Sequence, residues 1–313
     1  MPTIPSKFDL TRGLVLNLLG VPAHRYDAAF DSYLLLHDGA ENHTLTLVLK
    51  VFLNPVSTFG LPKFVHADAN GNLFVIKPWR NNELEDFKRR FRQQALHWAN
   101  QFWLTPPAGF TKLDVRQRTR TIRPNIYCHL YVDLVSSQAG AHRVIDVVNL
   151  DRQVTAGQQG VPVGSLNSGS FRSHEGLYDS LDTTERTTSW QDNTGAARRN
   201  AHYLTIVHEV GHALGLPHIG VLHKDPLCQF AIAVDAIPGV QQASLPALFK
   251  GASNSQACYG SFAPTSHSDN VMGRGTKFEP VNAQPWRDRI AQHTTTAAGD
   301  WQVHMGNLPP KNL

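Results

Sequence analysis

A chain of 313 residues that is 41% hydrophobic and 17% charged lies among folded globular proteins, well away from the compositions that keep chains disordered. Its length suits one large domain or two modest ones. A formal net charge of +4, with no recognised nucleic-acid module beside it, excludes nucleic-acid binding as the leading class, and no apolar run approaches the roughly 18–20 residues of a membrane span. The first residues, Met1 to Asp9, lack the basic and apolar regions of a secretory signal, so the expectation is a cytoplasmic protein or one exported by a contractile or other non-classical secretion route. Cys128, Cys228 and Cys258 are too few for a disulfide framework and lack the paired spacing of a thiolate zinc site. Cys228 and Cys258 either bridge one loop-rich region or stay as idle thiols.

Leu45, Leu47, Leu49, Val51 and Leu53 alternate with Thr44, Thr46 and Lys50, the period of two that predicts a half-buried strand. Asn70-Gly71, between Phe64-Val65 and Leu73 to Ile76, predicts a hairpin turn. From Asn82 to Trp103 the residues Leu84, Phe87, Phe91, Trp98 and Phe102 recur at helical steps. They predict a long amphipathic helix with Asn82 and Glu85 as its capping box and Pro106-Pro107 as its stop. The basic residues Lys88, Arg89, Arg90 and Arg92 then form a solvated helix face. Arg116, Arg118, Arg120 and Arg123 line the exposed side of an extended segment.

Asn125 to Val135 alternates again and Arg143 to Leu150 is a short apolar run, so both read as strands. From Gly157 to Thr194 the chain is rich in Gly, Ser, Thr and Asp, predicting loop with one edge strand near Gly169–Tyr178. A second long loop is expected from Ile219 to Asn270, and a last helix around Ala283–Thr294. The expected fold class is α/β (α+β), a twisted mixed sheet carrying a long helix and a second, shorter one.

That second helix carries the chemistry. Residues 208 to 218 read His-Glu-Val-Gly-His-Ala-Leu-Gly-Leu-Pro-His. His208 and His212, four apart on a helix, lie about 40° apart around the axis and one turn along it, so both imidazoles can meet one ion. Glu209, beside them, can address a water without being a ligand. Were the helix to continue, His218 would lie about 15 Å beyond His208, so the chain must turn back. Gly215 tolerates positive φ, and Pro217 disfavours helical geometry at Leu216. Of sixteen histidines, these three alone have metal-site spacing. Three histidine ligands leave the fourth tetrahedral position open, the arrangement of a catalytic zinc site, with Glu209 as general base. Five fixed positions would coincide by chance about 10⁻⁴ times in such a chain.

The pattern of His208, Glu209, His212, Gly215 and His218 resembles that of the metzincin clan of zinc endopeptidases, and Asp269-Asn270-Val271-Met272-Gly273 resembles the clan's methionine turn. The resemblance implies His208, His212 and His218 as ligands of one Zn²⁺, Glu209 as catalytic base, and Met272 as a floor beneath the metal. It further implies a catalytic domain over 44–294, with an N-terminal subdomain to about 215 and a smaller C-terminal one from about 216. An N-terminal extension over 1–43 and a tail over 295–313 flank it. Ile219 and the pair Gly273-Arg274 depart from subfamily markers, leaving the subfamily open and His267, Arg274 and Tyr259 as candidate oxyanion donors. The expected activity is endopeptidase cleavage of a protein or peptide substrate. A zinc amidase acting on peptidoglycan or another non-protein amide, or a non-catalytic zinc-containing binder, are the alternatives. A delivery or inhibitor partner is left open.

Overall fold

In the computed structural model of this chain the described residues are 3–4, 30–36, 42–67, 73–117, 119–151, 169–170, 175–191, 196–235, 258–260 and 267–306. Fifteen strands run among them: β1 (Thr3–Ile4), β2 (Asp31–Leu35), β3 (Asn42–Pro55), β4 (Phe64–Ala67), β5 (Leu73–Ile76), β6 (Phe102–Thr105), β7 (Val115–Gln117), β8 (Arg120–Ile122), β9 (Asn125–Leu134), β10 (Arg143–Val148), β11 (Gly169–Ser170), β12 (Glu175–Asp179), β13 (Arg186–Gln191), β14 (Ala197–Tyr203) and β15 (Gln302–Met305). The helices are α1 (Asn81–Ala95), α2 (Thr205–Ala213), α3 (Ile219–Leu222), α4 (Pro226–Asp235) and α5 (Gln284–Thr294). None is long and apolar enough to cross a membrane.

The architecture is mixed α/β around the long strand β3, in which Leu45, Leu47, Leu49, Val51 and Leu53 are buried as their alternation requires. The main sheet runs β11-β12-β10-β3-β9-β6-β15, with β2 added to β3 and β1 to β2. Strands β9 and β10 lie parallel to β3, and β12 lies parallel to β10, whereas β2, β6, β11 and β15 join antiparallel. Length lets β3 serve two neighbours on one edge, Thr44 to Val48 facing β2 and Val51 to Pro55 facing β10. Because Asp31–Leu35 and Gln302–Met305 both pair into this sheet, it draws on residues from outside 44–294.

On α1, Phe87, Phe91 and Ala95 are buried, with Leu84 packed at their margin, and the basic face outside is paired locally: Lys88 with Glu85, Arg89 with Asp86. The predicted helix is too long at its far end. After a single 3-10 turn, Leu96–Trp98, the backbone turns at Asn100 (φ 66°), and Phe102 belongs to strand β6 rather than to the helix. Its amino end also differs, since Glu83 accepts a hydrogen bond from the Arg80 amide at 3.1 Å, so the cap lies two residues before the predicted one. Arg116 and Arg120 are exposed, but the segment folds into a short β7–β8 hairpin instead of running on extended: Arg116 pairs with Thr121 and Arg120 with Gln117, so the two arginines stand on opposite faces and do not line one side. Strands β4 and β5 pair antiparallel, but Asn70-Gly71 lies outside the described residues. In place of the one edge strand expected near Gly169–Tyr178 there are two strands, β11 at the edge of the sheet and β12 between it and β10. The long loop expected from Ile219 is corrected at its start, where α3 and α4 form.

Two contacts fix α2 against this frame. The Trp98 indole donates to the Val207 carbonyl at 2.7 Å, and the buried Arg143 guanidinium of β10 donates to the Ala213 carbonyl at 3.4 Å, where a cation complements the helix's C-terminal dipole. Trp98 also stacks on Trp286 of α5. Every residue of α2 is buried.

Candidate metal centre

The helical repeat places His208 and His212 with ring centroids 4.7 Å apart and nearly perpendicular. Helix α2 then ends as Gly215 requires. Gly215 has φ 90°, its amide donates to the His212 carbonyl and the Leu216 amide donates to the Gly211 carbonyl at 3.0 Å, the paired bonds of a Schellman turn. The reversal returns His218 to the two histidines of α2, its ring centroid 5.3 Å from that of His208 and 4.7 Å from that of His212. One ring nitrogen from each of the three lies within 4.8 Å of the others.

The rings are aimed by backbone carbonyls. His208 Nδ1–H donates to Val271 O at 2.8 Å and His212 Nδ1–H donates to Leu216 O at 2.7 Å, which fixes the tautomer and leaves each Nε2 as an acceptor. The next residue of the methionine turn holds the third segment, because the Met272 carbonyl accepts from the Ile219 amide at 3.0 Å. Met272 is fully buried and lies against Gly211, whose missing Cβ would stand 2.2 Å from the Met272 sulfur. The turn is kept in shape by Asn270, whose Oδ1 accepts from the Met272 amide at 2.7 Å and whose Nδ2 donates to Asn282 at 2.9 Å, both asparagines being wholly buried.

Burial sets the electrostatics. It pushes the His208 imidazole down to about 4 and holds His212 and His218 well below their ordinary value, so all three are neutral and able to donate a lone pair. His208 Nε2 is buried without a hydrogen-bond partner, a costly arrangement for a polar atom that a metal ion would relieve. The donor set suits zinc, which takes imidazole nitrogens at about 2.0–2.1 Å. Glu209 is 5% exposed; burial raises the phenols of Tyr259 and Tyr203, and the nearby Glu209 carboxylate adds to the rise in both.

Of the three candidate oxyanion donors, Tyr259 stands at the trio, its ring 4.2 Å from that of His218 and 5.5 Å from that of His208. Burial pushes its hydroxyl up to about 12, so it is a neutral donor. Arg274 lies over the Tyr259 ring, its guanidinium 5.1 Å from the centroid and one nitrogen donating to Ser189 O. His267 joins a different group, stacked on His223 at 4.1 Å. Tyr203, with its ring 5.8 Å from that of His208, went unnoticed in the sequence. It ends strand β14 two residues before α2, and that adjacency was its only signal.

Comparison of the chain with protein families, with curated proteins and with solved structures returns no match.

Proposed function

We propose that this chain is a zinc-dependent endopeptidase of metzincin-like design, with His208, His212 and His218 holding one Zn²⁺ and Glu209 acting as general base. The observation that carries the reading is the convergence of three neutral imidazoles around a buried, unpartnered His208 Nε2, one residue from a buried carboxylate. A structural zinc site closes all four positions with protein ligands, whereas three histidines leave room for water and substrate. The position of Met272 beneath Gly211, and of Val271 and Met272 as acceptors for the ligand-bearing segments, supports the likeness to the clan.

Zinc, when bound, would lower the pKa of a coordinated water toward about 7 and polarise the scissile carbonyl. Glu209 takes the proton from the attacking water and delivers it to the departing amine, so the peptide bond breaks into a carboxylate and an amine. Tyr259, neutral and facing the trio, donates its hydroxyl proton in a hydrogen bond to the carbonyl oxygen as charge develops there.

The test joins metal analysis with Glu209→Ala. We expect this variant to keep the zinc bound by the wild type at His208, His212 and His218, and to lose hydrolysis of an unstructured protein substrate by about 10²–10⁴-fold. A variant as active as wild type sinks the mechanism.

A further inference from the structure

We propose that His223, His267 and Glu279 form a second binding site, for a divalent transition-metal ion with Zn²⁺ as the best match, and that an ion there braces the segments carrying His218, Tyr259 and Met272. One ligand atom from each of the three residues lies within 4.8 Å of the others. The Glu279 carboxylate turns one oxygen to each imidazole: Oε2 lies 2.9 Å from His223 Nε2 and Oε1 lies 3.7 Å from His267 Nδ1. Bonds of about 2.0–2.1 Å at tetrahedral angles separate neighbouring ligand atoms by about 3.3–3.4 Å, and the two distances fall either side of that value. The imidazoles stack 4.1 Å apart with an interplanar angle of 15°, so the two rings stand side by side, and one of them turns about its side-chain torsions to bring both lone pairs onto a single ion.

Donor chemistry narrows the ion. Two imidazoles and one carboxylate suit zinc and its neighbours in the first transition row, whereas calcium and magnesium prefer oxygen-only shells. The three side chains are partly accessible, at 33%, 26% and 18% of their free surface for His223, His267 and Glu279, so water can complete the coordination.

The consequence lies in where the three residues sit. His223 caps α3, the single turn that begins at Ile219, directly after His218. The His267 amide donates to Gly260 O, next to Tyr259. The Glu279 amide donates to Asn282 Oδ1, the same oxygen that accepts from Asn270 in the methionine turn. An ion held by all three therefore ties the segment after His218 to the chain around Gly260 and the methionine turn, which together make the non-helical side of the first site.

The test uses the full chain, freed of metal by chelation and titrated with Zn²⁺ by calorimetry, beside His223→Ala, His267→Asn, Glu279→Gln and, for the first site, His212→Asn. Circular dichroism checks that each is folded. We expect each of the first three variants to bind one equivalent less than wild type, His212→Asn to lose a different one, and Zn²⁺ to raise the melting temperature of wild type more than that of Glu279→Gln. Equal stoichiometry and equal zinc-induced shifts in wild type, His223→Ala, His267→Asn and Glu279→Gln overturn the second site. If the chain binds a single ion that Glu279→Gln loses and His212→Asn keeps, the second site stands and the proposed catalytic zinc fails.

Discussion

The sulfur of Met272 occupies the space that a Cβ on Gly211 would need, 2.2 Å from where that carbon would stand, while the Trp98 ring closes the other side at 2.7 Å. Glycine at this helix position is thus a packing requirement, not a source of flexibility. Gly211→Ala should overpack a contact among fully buried groups and cost about 1–3 kcal/mol, despite alanine's better helix propensity. It should also weaken zinc binding, because displacing Met272 moves the neighbouring Val271 carbonyl that aims His208. Denaturant melts give the first quantity and competitive chelation the second. A variant as stable as wild type with unchanged metal affinity would show that the Met272 side chain yields freely.

Tyr259→Phe separates the hydroxyl from the ring. The ring packs on His218 and should stay, so we expect zinc content to be unchanged. Removal of a single donor to a developing oxyanion costs about 10²–10³-fold in kcat. KM should move little, since the hydroxyl matters most as charge develops. A purely structural tyrosine would leave kcat intact, and a metal ligand would cost zinc; steady-state kinetics with metal analysis distinguishes these.

The legible parts were those written in local period. Strand β3 declared itself by alternation, and the turn at Gly215 followed from the demand that His218 come back to His208. The far end of α1 was misread because Phe102 satisfies a helical step from Trp98, while the four residues of β6 are too few to show a period of two. Pairing with β9 and β15 decides their state, and nothing local announces it. The His223, His267 and Glu279 group was invisible for the same reason, as no spacing rule connects positions 223, 267 and 279. Tyr259 could be named but not placed, because its neighbour His218 is 41 residues earlier.

Acid stability should carry the mark of α5. Burial holds His293 down to about 4, with the nearby Arg289 cation adding to the effect, so between about 4 and 6.5 the unfolded chain takes a proton that the folded chain refuses. Stability from this residue is complete above pH 6.5 and declines as pH falls toward 4. Asp288 works the other way: burial raises its carboxyl to about 6, so its contribution is complete below the ordinary carboxylate value near 3.8 and declines as pH rises through 6. His293→Gln should therefore show a shallower loss of stability on acidification than wild type, and Asp288→Asn a steeper one. Urea melts at intervals from pH 4 to pH 7 provide the comparison, with parallel curves for all three proteins as the contrary result.

The Cys228–Cys258 bridge resolves the alternative left by the sequence, joining α4 to the residue just before Tyr259 across a separation of 30 residues. Its sulfurs sit in a small buried cluster with Val221 and Ile232, separate from the main core. A loop of this length predicts about 3–4 kcal/mol of stabilisation from restricting the unfolded chain. Replacing both cysteines by alanine should lower stability by that amount, and the effect should appear equally on treating wild type with reductant. Because the bridge anchors the residue next to Tyr259, the variant should also lose part of the Tyr259 contribution to kcat while keeping zinc at His208, His212 and His218, none of which depends on the bridge for its turn. Combining the cysteine replacements with Tyr259→Phe tests the link: if the bridge acts on turnover through Tyr259, the double change is scarcely slower than Tyr259→Phe alone, whereas multiplied losses would mean that the bridge acts on turnover by another path.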